Sequence, residues 1–127
     1  SSRQEIEFGV SDFGAARRLL EALGYVVSVM YEKYRTTYLL GDLTVVLDEM
    51  PFGDFMEIEG PDAESIRGAA EQLRLNWEAR STASYLGLFS LLSAKMGIAA
   101  RNLSFAEFEG LQVGVEDMGL SYADGVA

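Results

Sequence analysis

Two carboxylates stand two residues apart in the run DEMPFGDFMEIEG (48–60): Glu57 and Glu59, with Ile58 between them. In a strand, residues i and i+2 share a face. One face of this segment is then carboxylate and the other is apolar. Lys33 and Arg35 repeat the spacing in basic residues, and Asp48 shares a face with Thr44 and Val46. Arg3, Glu5 and Glu7 alternate with Gln4, Ile6 and Phe8 in the same way. A charged face of this kind is ordinarily solvated. The alternative is that it faces a cation and an anion together. Asp48, Glu57 and Glu59 are suitable oxygen ligands for the first, with Glu5 and Glu7 able to join them, and Lys33 and Arg35 suit the second.

Turn chemistry aligns these residues. Gly41-Asp42 is a two-residue hairpin signal, which sets Leu40 opposite Leu43 and Arg35 opposite Asp48. A four-residue loop over 51–54 sets Met50 opposite Phe55 and Asp48 opposite Glu57. The expected row is Arg35, Asp48, Glu57, with Lys33 and Glu59 beside it. Directly opposed carboxylates repel by several tenths of a kcal/mol when exposed. Burial raises that cost unless a positive group intervenes. Arg35 offsets part of it, and a divalent cation would offset the rest.

Composition narrows the chemistry. The chain of 127 residues has no histidine and no cysteine. That removes the commonest general base, thiolate chemistry and the usual zinc ligands. A metal here is held by oxygens, which points to Mg²⁺ or Mn²⁺, and less to Ca²⁺. The net charge of −10 argues against binding a nucleic-acid backbone. No apolar run is long enough to span a bilayer, and the first residues lack a signal-peptide pattern. Together with the absence of cysteine, this fits a cytoplasmic protein. The start at Ser1 reads as a processed product or a fragment.

The elements that must position these residues follow from periodicity. Residues 3–10 read as a strand, and Ser11-Asp12 offers a cap for a helix through Leu23, stopped by Gly24. Residues 25–40, rich in Val, Tyr and Thr, read as a long strand, with return strands at 43–49 and 55–59. Asp62 caps a helix with Ala63, Ile66, Ala69, Ala70 and Leu73 on its apolar face. A second helix runs over about 83–96, with Tyr85, Leu88, Phe89, Leu92 and Met96 on one side. Ser104 and Glu107 have capping-box spacing. Residues 112–127 read as a loose tail after a single domain over 1–111. The class is α+β with an antiparallel sheet.

The stretch YEKYRTTYLLGDLTVVLDEMPFGDFMEIEG resembles the second half of a CYTH domain, the fold of triphosphate tunnel metalloenzymes. RQEIEF resembles the R-x-E-x-E strand that opens that half, and NWEARSTASYLGLF its following helical segment with a Ser-Tyr pair. The resemblance covers roughly residues 3–108. It implies that the sheet is part of a β-barrel whose charged interior is a tunnel, with helices packed outside against the greasy faces. It implies a triphosphate bound by Arg3, Lys33, Arg35 and Lys95. Glu57 and Glu59 would hold Mg²⁺ or Mn²⁺. Asp48 would be a further ligand or the partner that orients Arg35, and Lys33, Arg35 and Asp48 would form the catalytic set. Glu5 and Glu7 would line the same tunnel with Arg3.

The family's first half, with its E-x-E-x-K strand, is absent, and Phe8-Gly9 follows Glu5-Ile6-Glu7 where a lysine belongs. The chain thus looks like half a tunnel, which two copies would complete as a homodimer. The implied substrates are small triphosphates: ATP for an adenylate cyclase of class IV, thiamine triphosphate or inorganic triphosphate for a triphosphatase. A half-tunnel that binds nucleotide or polyphosphate without turnover is the third reading.

Overall fold

The structure, a computed structural model, describes residues 4–125. They fall into two units, residues 4–30 and 31–125.

In the first unit, helix α1 (Phe13–Ala22) starts where the sequence places a cap: the Asp12 carboxylate accepts from the Ala15 N–H at 3.0 Å. Leu23 closes it and Gly24 takes φ +95, a left-handed conformation cheap only for glycine. Residues 4–10 form no strand, which corrects the first-strand expectation. Alternation suits a pleated surface but does not supply the neighbour whose N–H and C=O groups a strand needs. Arg3 lies outside the described residues.

The second unit holds an antiparallel sheet in the order β1 (Tyr34–Leu40), β2 (Leu43–Met50), β3 (Gly53–Glu59). With its helices this is an α+β arrangement. Among the described residues the sheet is open and does not close into a barrel. The long strand expected over 25–40 is confined to its last seven residues. Upstream, Tyr31 forms an isolated bridge with Leu103, and Glu32 N–H donates to the Leu103 carbonyl at 2.9 Å.

The first hairpin has the expected register: Leu40 opposes Leu43 and Arg35 opposes Asp48. Gly41 at φ +60 supplies the turn conformation that a side chain resists. The second hairpin is tighter than expected. Pro51 and Phe52 are its only loop residues, so Met50 opposes Gly53 and Asp48 opposes Phe55 rather than Glu57. Phe52 explains the tightening. It is buried at the hairpin tip among the rings of Phe55, Tyr85 and Phe108, at centroid distances of 5.5, 6.4 and 6.2 Å. The register moves by two residues, so every side chain keeps its face. Arg35, Asp48 and Glu57 therefore still share one face, with Glu57 diagonal to Asp48.

Helix α2 (Ala63–Gln72) begins at Asp62, which accepts from the Ser65 N–H at 2.7 Å, and buries Ala69 and Ala70. A Cβ at Gly60 would run into the Leu43 side chain and crowd Ile66 of this helix. The glycine that ends EIEG thus permits close packing of strand and helix. Helix α3 (Tyr85–Met96) begins at Ser84 and buries Leu88, Phe89 and Leu92. The short helix α4 (Phe105–Phe108) starts at Ser104. Glu107 reaches back past that cap to accept from the N–H groups of Arg101 and Asn102 at 3.0 and 3.4 Å. Within the segment read as a loose tail, Val115–Met118 make a 3₁₀ turn that buries Met118. The Ala123 carbonyl accepts from the Asn76 N–H at 2.7 Å. No helix among the described residues is long and apolar enough to cross a membrane.

Candidate functional site

Asp48 is the fixed point of the charged face. It sits in the middle strand, 1 % exposed, where an unpaired carboxylate would be costly. Its neighbours remove that cost. Arg35 grips it side-on, Nε donating to Oδ1 and Nη2 to Oδ2, both at 2.6 Å. This is the two-bond fork that a guanidinium makes with a carboxylate. The Tyr85 hydroxyl donates to Oδ2 at 2.7 Å. Lys33 Nζ stands 4.0 Å from the same oxygen. Both Asp48 oxygens are therefore occupied by donors of this chain.

Arg35 has capacity left. Nη2 also donates to Glu57 Oε2 at 3.3 Å. Among the described residues these three bonds use three of the five N–H groups of the guanidinium, and none of them falls on Nη1. The Arg35 side chain is 32 % exposed, so the guanidinium is not sealed from solvent. Lys33 is placed by rings as well as by charge: its ammonium lies 5.9 Å from the Tyr31 centroid and 5.8 Å from that of Tyr85.

Glu57 and Glu59 stand on the same face of β3. Two residues apart, their backbones are separated by about 7 Å. Glu57 is half-exposed and Glu59 exposed. No cluster of three or more acidic side chains able to hold a metal exists among the described residues. What β3 offers is a pair of accessible hard-oxygen donors. That fits a small divalent cation that completes its shell with water and phosphate oxygens, and does not fit an all-protein cage.

The remaining sequence candidates within the described residues are Glu5, Glu7 and Lys95. Glu5 and Glu7 belong to the other unit, on backbone that is not a strand. Lys95 is in the last turn of α3, about 15 Å along the helix axis from Tyr85. There Nζ donates to the Glu116 carbonyl at 3.4 Å and ties the helix to the 3₁₀ turn.

Tyr85 is the member that the sequence places on an apolar helix face and in the Ser-Tyr pair, without a role in the site. At the first position of α3 it lies on the charged face, against Phe55 at 5.3 Å between centroids. The greasy face is thus not the only one under a helix. Asp48, Val46 and Met50 are buried on the charged face itself. The signals in the sequence are Ser84, whose capping role places residue 85 at the helix start, and the Ser84-Tyr85 pair that carries part of the family resemblance.

The electrostatics agree with the geometry. The Arg35 hydrogen bonds hold the Asp48 carboxyl below the usual carboxylate range. Burial opposes that shift, and the Tyr85 hydroxyl and nearby Lys33 add to it. The same bonds hold the Arg35 proton more firmly than usual. Burial first, then the Asp48 carboxylate, push the Tyr85 phenol well above its ordinary value. Stability therefore has two limbs. As pH falls, the unfolded chain protonates its Asp48 first, so that contribution is present above about pH 4 and is lost on further acidification. As pH rises past about 10, the unfolded chain loses its Tyr85 proton first, so stability declines there too. The urea midpoint is expected to be level between these values and to fall on both sides. Tyr85→Phe should flatten the alkaline decline, and an unchanged alkaline limb in that variant would contradict the assignment.

A family model described as CYTH domain matches residues 1–83. No curated protein and no solved structure matches the chain.

Proposed function

The chain belongs to the CYTH domain family, and on that premise we propose a divalent-metal-dependent enzyme acting on a triphosphate, with ATP cyclised to cyclic AMP and pyrophosphate. The family is that of triphosphate tunnel metalloenzymes, which bind triphosphates and generally depend on a divalent metal. One observation carries the reading: an arginine locked by a buried aspartate, with a free guanidinium edge beside a lysine and an accessible carboxylate pair.

Each side chain then has a task. Arg35 presents its Nη1 edge to a phosphate oxygen, and Lys33 adds a point charge beside it. Asp48 takes the orienting role, because its oxygens are already occupied by Arg35 and Tyr85. Glu57 and Glu59 would hold Mg²⁺ or Mn²⁺. When bound there, the cation would neutralise charge on the phosphate oxygens. In the cyclase reaction the ribose 3′-oxygen attacks the α-phosphorus, its proton is lost, and pyrophosphate leaves. In a triphosphatase, water attacks the terminal phosphorus, the bridging P–O bond breaks, the diphosphate remainder leaves, and the attacked phosphoryl group is released as orthophosphate. Arg35, Lys33 and the carboxylate pair serve both.

The test is an Mn²⁺-dependent turnover assay on the purified chain. ATP, thiamine triphosphate and inorganic triphosphate are supplied separately and products are separated by chromatography. Cyclic AMP supports the cyclase. Orthophosphate without cyclic AMP replaces it with the triphosphatase. Binding with no product from any substrate makes the chain a triphosphate-binding module.

A further inference from the structure

Tyr85 lies just beyond the residues matched by the family model, and no role of Arg35, Lys33 or the carboxylate pair described so far requires it. Yet it touches one of the acids, Asp48, and one of the two basic residues of the site, Lys33, through different atoms. Its hydroxyl donates to Asp48 Oδ2, the oxygen that also receives Arg35 Nη2. Its ring flanks the Lys33 ammonium. Its own position is set by Phe52 and Phe55, whose centroids lie 6.4 and 5.3 Å away. Phe52 is the residue that tightens the second hairpin. Packing at the hairpin tip is thereby connected to the orientation of the anion-binding edge.

We propose that Tyr85 is a positioning residue for triphosphate recognition: its hydroxyl fixes Asp48, and through Asp48 the guanidinium of Arg35, while its ring places Lys33. The inference rests on the triphosphate reading for its ligand, but not for its geometry. Without the hydroxyl, Asp48 keeps the Arg35 fork and loses the third donor that pins Oδ2. The Arg35–Asp48 pair then samples more orientations, and the Nη1 edge is no longer preset. A polyanion that must contact Arg35 and Lys33 together loses more from this than a single phosphate, which needs only one of them.

Tyr85→Phe is the test, since it keeps the ring and its aromatic contacts. Two readouts are taken on the whole chain. The first is the ¹H–¹⁵N signal of Arg35 Nε–H without ligand. The second is the Kd for inorganic triphosphate and for orthophosphate in the presence of Mg²⁺. In wild type the Nε–H signal is expected to be sharp and slow to exchange. In Tyr85→Phe it should broaden or exchange faster, and the triphosphate Kd should rise by about tenfold while the orthophosphate Kd changes by less than about twofold. Tyr85→Leu, which also removes the ring beside Lys33, should weaken triphosphate further. An Arg35 signal and a triphosphate Kd both unchanged in Tyr85→Phe overturn the positioning role and leave the triphosphate reading intact. Equal weakening for both phosphates also overturns it. If wild type binds no triphosphate while the Arg35 signal still responds to Tyr85→Phe, the functional reading fails and the positioning of Arg35 stands.

Discussion

Arg35→Ala is expected to lose about 3 kcal/mol of stability and all measurable triphosphate binding, and the two losses should separate in a double variant. The stability term comes from Asp48, not from Arg35. Asp48 is buried, and without the guanidinium it keeps only the Tyr85 hydroxyl and a lysine 4.0 Å away. Removing one partner of a buried pair commonly costs about 3–5 kcal/mol, because the other charge stays behind. Arg35 is one-third exposed, which argues for the lower end of that range. Asp48→Asn in the same background removes the stranded charge while Tyr85 still has an amide oxygen to donate to. Arg35→Ala/Asp48→Asn should therefore recover about half of the lost stability. Binding should not recover, since the Nη1 edge is gone in both. Urea denaturation gives the first quantity and triphosphate-induced change in Tm the second. A single variant as stable as the double would show that Asp48 does not depend on Arg35. Arg35→Lys should also bind poorly, because an ammonium cannot make the side-on fork and still offer a planar edge.

The pairing of Arg35 with Asp48 was legible because local chemistry fixed it. Gly41-Asp42 sets a two-residue turn, and counting back along both strands brings the residues together. The second turn misled because its length was decided by Phe52, a loop residue buried by helices distant in sequence. The face of Glu57 was nevertheless right, since an error of two residues preserves the alternation of a strand. Residues 4–10 and 25–30 carry alternation or β-branched side chains, but those preferences become a strand only beside a partner, which no local pattern reveals. Tyr85 was read as apolar because its ring is: the helix period registers the ring and says nothing of where the hydroxyl ends. Lys95 fits a site in composition only, since its position on α3 takes it to the end far from Tyr85.

Glu57→Gln and Glu59→Gln should each lower metal-dependent turnover by about a hundredfold or more while leaving the fold nearly unchanged. The contrast with Arg35 follows from burial. Glu57 is half-exposed, and its bond to Arg35 at 3.3 Å is a surface pair worth about 1 kcal/mol at most. A glutamine there still accepts from Nη2, so the guanidinium keeps its place. Glu59 makes no ion pair among those of the described residues, so its replacement should not move the urea midpoint measurably. What both variants lose is an anionic oxygen for the proposed cation, which among the described residues finds no cluster of three acidic side chains to hold it. With so few protein ligands, saturation should be shared between metal and substrate. Each glutamine variant should then need more Mn²⁺ for half-maximal rate, and the requirement should fall as triphosphate concentration rises. Wild-type rates across the whole Mn²⁺ range in either variant would place the metal away from β3. A loss of rate with an unchanged Mn²⁺ requirement would instead assign that glutamate to the substrate. Glu57 is the one on which this outcome bears most, because its Oε2 already accepts from Nη2 of Arg35, the residue proposed to bind phosphate.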